Sequence, residues 1–120
     1  MALSGTKYEM AQLGQFGSIF CDTAGDVTPP ADFIICAIFF LADTNITKLT
    51  AENTTDGKRM FPSTAYSAHE DANGIEGSGG DTIAAGQEFP KGSTIYGRWT
   101  ELAITADAAA GVIAYLAPKH

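Results

Sequence analysis

Ten consecutive apolar residues in the first half of the chain constrain the fold more than any other feature. Residues 33–42 read FIICAIFFLA, with no charged side chain among them. A helix that crosses a membrane needs about 20 such residues, so this run is too short to span a bilayer. A short apolar run of this kind is typical of a β-strand that is buried on both faces. We therefore expect residues 33–42 to form a central strand or to line a subunit contact.

Four further segments carry strand patterns. β-Branched and aromatic residues recur in residues 15–21, 44–51, 93–105 and 111–117, and turn-forming residues lie between them. Charged residues make up only 18% of the chain, below the usual quarter or so, which favours a sheet with many turns over a helical bundle. The sequence therefore predicts an all-β fold, an antiparallel β-sandwich or barrel of jelly-roll type.

The chain has 120 residues, which fits one domain. Residues 1–14 are weakly patterned and are expected to form a flexible N-terminal arm or an edge segment, while residues 15–120 form a single β-domain. Residues 62–80 contain many glycines and acidic side chains and predict a long glycine-rich loop. Residues 82–92 have room for a short additional strand and a turn.

The charge balance and the length of the apolar run each argue against one class of partner. The formal net charge is −7, and the densest basic cluster is the pair Lys58 and Arg59. A chain of this kind repels the phosphate backbone, so we expect no nucleic-acid partner. The short apolar run also leads us to expect no membrane partner.

No set of residues converges on a catalytic motif, so we expect the chain not to be an enzyme. His69 is followed by Glu70, but a zinc-protease helix needs a second histidine at position 73, which is Asn. The glycines of residues 77–82 lack the Gly-Lys-Ser/Thr ending of a phosphate loop. We expect no cofactor and no bound metal.

Two points stay open from the residues alone. The oxygen-bearing side chains between residues 70 and 81 are either solvated loop groups, which we favour, or ligands for calcium. Cys21 and Cys36 are not in a CxxC motif, so they are either free core thiols or one disulfide between neighbouring strands.

The C-terminal quarter of the chain resembles a known group of proteins. Residues 91–100 read KGSTIYGRWT, Leu102 and Ile104 follow, and residues 111–115 read GVIAY. This pattern is similar to the ending of small virion proteins in tailed bacteriophages of marine and cyanobacterial type. The resemblance implies a capsid decoration (cement) protein on the virion surface. Its implied partners are the major capsid protein and further copies of itself, with a trimer as the expected homo-oligomer.

Four residues are the candidates for the interface that this role requires. Phe39 comes from the apolar run, and Tyr96, Arg98 and Trp99 come from the segment that carries the resemblance. Arg98 has a guanidinium group that can bind a carboxylate of a neighbouring subunit or make only a weak local ion pair. The alternative function is a carbohydrate-binding β-domain of a phage fibre or tail, in which Tyr96, Trp99 or Tyr66 stacks on sugar rings.

Overall fold

A computed structural model of the chain describes residues 14–52, 61–64, 81–105 and 111–119. These residues contain six β-strands and no helix, which confirms the all-β prediction. Five strands correspond to the predicted segments within three residues at each end, and the short β4 lies inside residues 82–92. The strands are β1 (Ser18–Cys21), β2 (Phe33–Phe40), β3 (Thr44–Ala51), β4 (Glu88–Phe89), β5 (Thr94–Ile104) and β6 (Val112–Pro118).

The six strands form one antiparallel sheet in the order β1-β6-β2-β5-β3-β4. The sheet is open in the described part of the chain, with β1 and β4 at its edges, so it does not close into the barrel that was one of the two expectations. The predicted N-terminal arm lies outside the described residues except for its last residue, and so does most of the glycine-rich loop.

The apolar run forms β2, which lies between β6 and β5 in the middle of the sheet. Its position explains its composition, because a strand with partners on both sides and side chains on two apolar faces has no position for a solvated residue. The register shifts between Ile35 and Ala37 against both neighbours. On β5 this irregularity falls between Tyr96 and Trp99, the stretch that contains Gly97.

One face of the sheet carries the main core. Val27 pairs with Leu102 and brings the loop before β2 against β5, and Phe40 stacks on Phe89 with ring centroids 4.9 Å apart. A smaller cluster on the opposite face contains Ile34, Cys36, Ala37 and Ala117, with Phe16 and Tyr115 packed against it. The buried residues of the main core are Ile35, Ile38, Phe40, Ile46, Leu49, Ala51, Trp99, Leu102, Ile104, Val112, Ala114 and Leu116.

Both cysteines are free thiols. Cys21 packs against the main core, whereas Cys36 belongs to the cluster on the opposite face. Their strands are also separated by β6. A disulfide between neighbouring strands, the less favoured of the two expectations, is therefore incompatible with this sheet order.

Candidate functional site

Eight side chains form two rows across four neighbouring strands, on the face opposite the main core. Residues that pair directly across strands point to the same side of a sheet, so the register places each row in a line. None of the eight is charged, and we call this surface the aromatic patch. Its first row is Phe20, Ile113, Phe39 and Thr94, and its second row is Ser18, Tyr115, Ala37 and Tyr96.

The aromatic patch contains the two large apolar side chains that are most exposed among the described residues. Phe20 is 59% exposed and Tyr96 is 57% exposed. Between the rows lies a shallow depression of about 190 Å³, lined by five members of the patch. Contiguous apolar surface on a folded protein often marks a binding site, so this patch is the candidate functional site.

The size of the aromatic patch limits what it can bind. Neighbouring strands lie about 4.8 Å apart, so four strands make the patch roughly 14 Å wide. A stable protein–protein interface buries about 800 Å² on each partner, which is more than two short rows of side chains supply. The patch therefore suits one contact within a larger assembly, or a small flat ligand.

Arg98 follows Tyr96 by two residues on β5 and has partners within the chain. Its Nε donates to Glu52 Oε1 at 2.6 Å, and its Nη2 donates to the carbonyl oxygen of Lys119 at 3.0 Å. Both charged side chains are largely buried, with 25% and 22% of their area exposed. Arg98 therefore ties β5 to the residues that follow β3 and β6.

Replacing Arg98 with Gln should lower the free energy of unfolding by about 1–3 kcal/mol, because the largely buried carboxylate of Glu52 loses its cationic partner. Urea unfolding measures this loss, and a double-mutant cycle with Glu52→Gln isolates the part that belongs to the pair. An unchanged unfolding free energy combined with weaker binding to another protein would instead place Arg98 in contact with a partner.

The four predicted interface residues do not lie together. Phe39 and Tyr96 line the same depression, and Arg98 follows Tyr96 by two residues on β5. Trp99 is fully buried in the main core, and its indole N–H donates to the carbonyl oxygen of Pro62 at 2.8 Å. In the folded chain Trp99 is thus unavailable to a partner or a sugar ring, and it supports the sheet from the other side.

Cys36 lies on the same face of the sheet as the aromatic patch, and its thiol lacks the lowered pKa of a reactive nucleophile. Burial raises the pKa of the Cys36 thiol above its usual value. A backbone hydrogen bond and the positive charge of Arg98 lower this pKa, but their effect is smaller than that of burial. A raised pKa keeps the thiol protonated near neutral pH, and the protonated form is a poor nucleophile.

Elsewhere in the described part of the chain, no three His, Cys, Asp or Glu side chains are grouped as metal ligands would be. A second depression of about 380 Å³ includes the carboxylates Asp81 and Glu88, and this pair is too few to form such a group. His69, Tyr66 and most of the acidic residues considered for calcium lie outside the described residues.

The sequence analysis missed six of the eight members of the aromatic patch, and the largest of these are Phe20, Ile113 and Tyr115. One signal was present in β6, where residues 112–117 are apolar at both odd and even positions. A strand with two apolar faces in a single open sheet must expose one of them or cover it with something else. The position of Phe20 beside Ile113 depends on strand pairing and had no comparable signal.

Comparisons with protein families, with curated protein sequences and with solved structures found no match to this chain. A search of the described residues for a helix long and apolar enough to cross a membrane also found none. The geometry of the aromatic patch and the sequence pattern are therefore the basis on which a role is assigned.

Proposed function

We propose that the chain is a non-enzymatic structural protein of a bacteriophage virion, which decorates and stabilises the outer surface of the capsid. The observation that carries the proposal is the aromatic patch, an uncharged apolar surface on an otherwise acidic protein. The segment that resembles phage virion proteins forms β5 and β6, which supply Thr94, Tyr96, Ile113 and Tyr115 to the patch. The resembling segment therefore supplies half of the eight residues of the candidate site.

The proposed partners are the major capsid protein and further copies of this chain. A patch only about 14 Å wide gives weak binding on its own. A capsid presents many identical sites, and linked contacts raise the overall affinity by about 10²–10⁴ over a single contact. A homo-oligomer with one patch per subunit uses this gain, and a trimer matches the threefold positions of a capsid lattice.

Sedimentation with undecorated capsid shells of the phage that encodes the chain tests the proposal. The intact protein should pellet with the shells, and Tyr96→Asp should weaken its apparent affinity at least about tenfold, because a charge is buried in the contact. Thr47→Asp is the matched control, since Thr47 is exposed on β3 outside the patch, and it should bind like the intact protein. Protein that stays in the supernatant at every concentration refutes the proposal.

One observation favours the second candidate, a carbohydrate-binding domain. The rings of Tyr96, Tyr115 and Phe39 and the hydroxyl of Thr94 surround the depression, and aromatic rings with a few hydroxyl groups suit a neutral sugar. A glycan array separates the candidates. Binding to a glycan that Tyr96→Ala abolishes, together with no sedimentation on shells, would replace the capsid proposal with this one.

A further inference from the structure

We infer that the partner docks by strand addition: an extended segment of the major capsid protein pairs with the outer edge of β1, beside the aromatic patch. The inference rests on the proposed function for the identity of the partner. It goes further because it states how the contact is made, through main-chain hydrogen bonds on β1 together with apolar contact on the patch.

The two edges of the sheet differ in how they are protected against pairing with another strand. β4 has only the two residues Glu88 and Phe89, of which the first is charged, and Pro90 follows it directly. Short length, charge and proline are common means by which a sheet edge avoids further pairing. β1 reads SIFC over Ser18–Cys21 and contains neither charge nor proline. Among the described strands only β6 pairs with β1, so the outer edge of β1 is suited to receive another strand.

The pairing of β1 with β6 shows which backbone groups of β1 face outward. The amide of Leu116 donates to the carbonyl oxygen of Gly17 at 3.0 Å, so Gly17 directs its carbonyl toward β6. Along an antiparallel strand this direction alternates from one residue to the next. The N–H and C=O groups of Ser18 and Phe20 therefore point away from β6, and together they can form about four hydrogen bonds with an added strand.

A strand added at this edge also extends the aromatic patch. Ser18 and Phe20 end the two rows of the patch on β1, and both are exposed. Residues of the added strand that pair with them place their side chains on the same face of the sheet. The partner segment is therefore expected to have an apolar residue opposite Phe20. Its next residue toward Ser18 lies on the other face, beside Ile19, which packs against the main core.

The size of the aromatic patch favours this occupant over a second copy of the chain. The patch alone is smaller than the roughly 800 Å² that a stable interface buries on each partner, and strand addition supplies affinity through main-chain hydrogen bonds instead of area. Two copies that paired through β1 would continue one sheet side by side, so neither would cover the patch of the other. A capsid segment can pair with β1 and contact the patch at the same time.

Removing one outward N–H from β1 tests the strand addition. Phe20→Pro loses the N–H and the aromatic ring, whereas Phe20→Ala loses only the ring and is the matched control. Proline is tolerated on an edge strand where its nitrogen faces away from the neighbouring strand, and circular dichroism checks that both variants fold. In sedimentation with undecorated shells, Phe20→Pro should bind at least about tenfold more weakly than Phe20→Ala. Equal affinities of the two variants refute strand addition.

Amide hydrogen exchange of the intact protein gives a second test that needs no variant. The amides of Ser18 and Phe20 should exchange fast in the dilute free protein and become protected when the protein is bound to shells. The amide of Ile19 faces β6 and should be protected in both states. Slow exchange of Ser18 and Phe20 already in the free protein overturns the inference, because the edge is then occupied within the chain or by a second copy.

The two tests distinguish failure of the inference from failure of the proposed function. If the intact protein pellets with shells while the amides of Ser18 and Phe20 stay unprotected, strand addition is refuted and the proposed function stands. If the intact protein does not pellet with shells at any concentration, the proposed function fails and the inference fails with it.

Discussion

Replacing Trp99 with Ala is expected to lower the free energy of unfolding by about 3–5 kcal/mol, the usual loss for a large aromatic side chain in a core. Trp99 is 0% exposed and lies on β5 opposite Ile35 of β2 and Ala51 of β3. Its removal leaves a cavity in the centre of the sheet that neighbouring strands cannot fill without moving. Urea unfolding monitored by circular dichroism measures the loss.

Two further variants separate the contributions of Trp99 to stability: its hydrogen bond, its apolar volume and its position in the core. Trp99→Phe keeps most of the apolar volume but removes the indole N–H that donates to the carbonyl oxygen of Pro62, and should cost about 1–3 kcal/mol. Tyr96→Ala removes an exposed aromatic residue from the same strand and should change stability by less than about 1 kcal/mol. If Trp99→Ala instead unfolds like the intact protein and fails only to bind shells, Trp99 is an interface residue and the core is misplaced.

The contrast between Tyr96 and Trp99 shows how far the sequence determines the fold. Their odd spacing predicts opposite faces of β5 unless the strand bulges at Gly97. The register shifts at this point, and Trp99 lies in the main core while Tyr96 is exposed on the other face. Which face is inside depends on residues far away along the chain, including Phe61 and Ile83, which pack against the main core. Gly97 also has a part, because a Cβ there would come within 2.6 Å of the Trp99 ring. The long-range contacts of Phe61 and Ile83 with the core leave no local pattern in the sequence.

The aromatic patch was only partly predictable for a related reason. Phe39 and Tyr96 were candidates because of their local sequence. Four of the other six members of the two rows come from β1 and β6, and only the pairing register brings residues 20, 39, 94 and 113 into one line. A shift of one residue in any pairing would turn that strand's members of the row to the other face. Local sequence patterns therefore predicted where the strands lie. The aromatic patch could be recognised only from the order and register in which these strands pair.

The register of β6 itself depends on Gly111, and Gly111→Ala is expected to destabilise the protein by about 2–5 kcal/mol. Gly111 has a φ of +80°, a backbone conformation that costs about 1–2 kcal/mol for a residue with a Cβ. A Cβ there would also overlap the carbonyl oxygen of Cys21 and lie 2.9 Å from Cα of Asp22. The end of β1 or the start of β6 must then move, and overpacking of this kind adds about 1–3 kcal/mol.

Gly92→Ala is the matched control, and the comparison separates the two causes. Gly92 has a similar φ of +85° and also precedes a strand, but a Cβ there would meet nothing within 4 Å. Its replacement should cost only the backbone term of about 1–2 kcal/mol. Because β6 holds β1 and β2 together, the additional loss at Gly111 should appear with faster amide exchange in β1, which Gly92→Ala should leave unchanged. Equal losses in urea unfolding and unaltered exchange in both variants would show that the close approach of Gly111 to β1 does not fix the register.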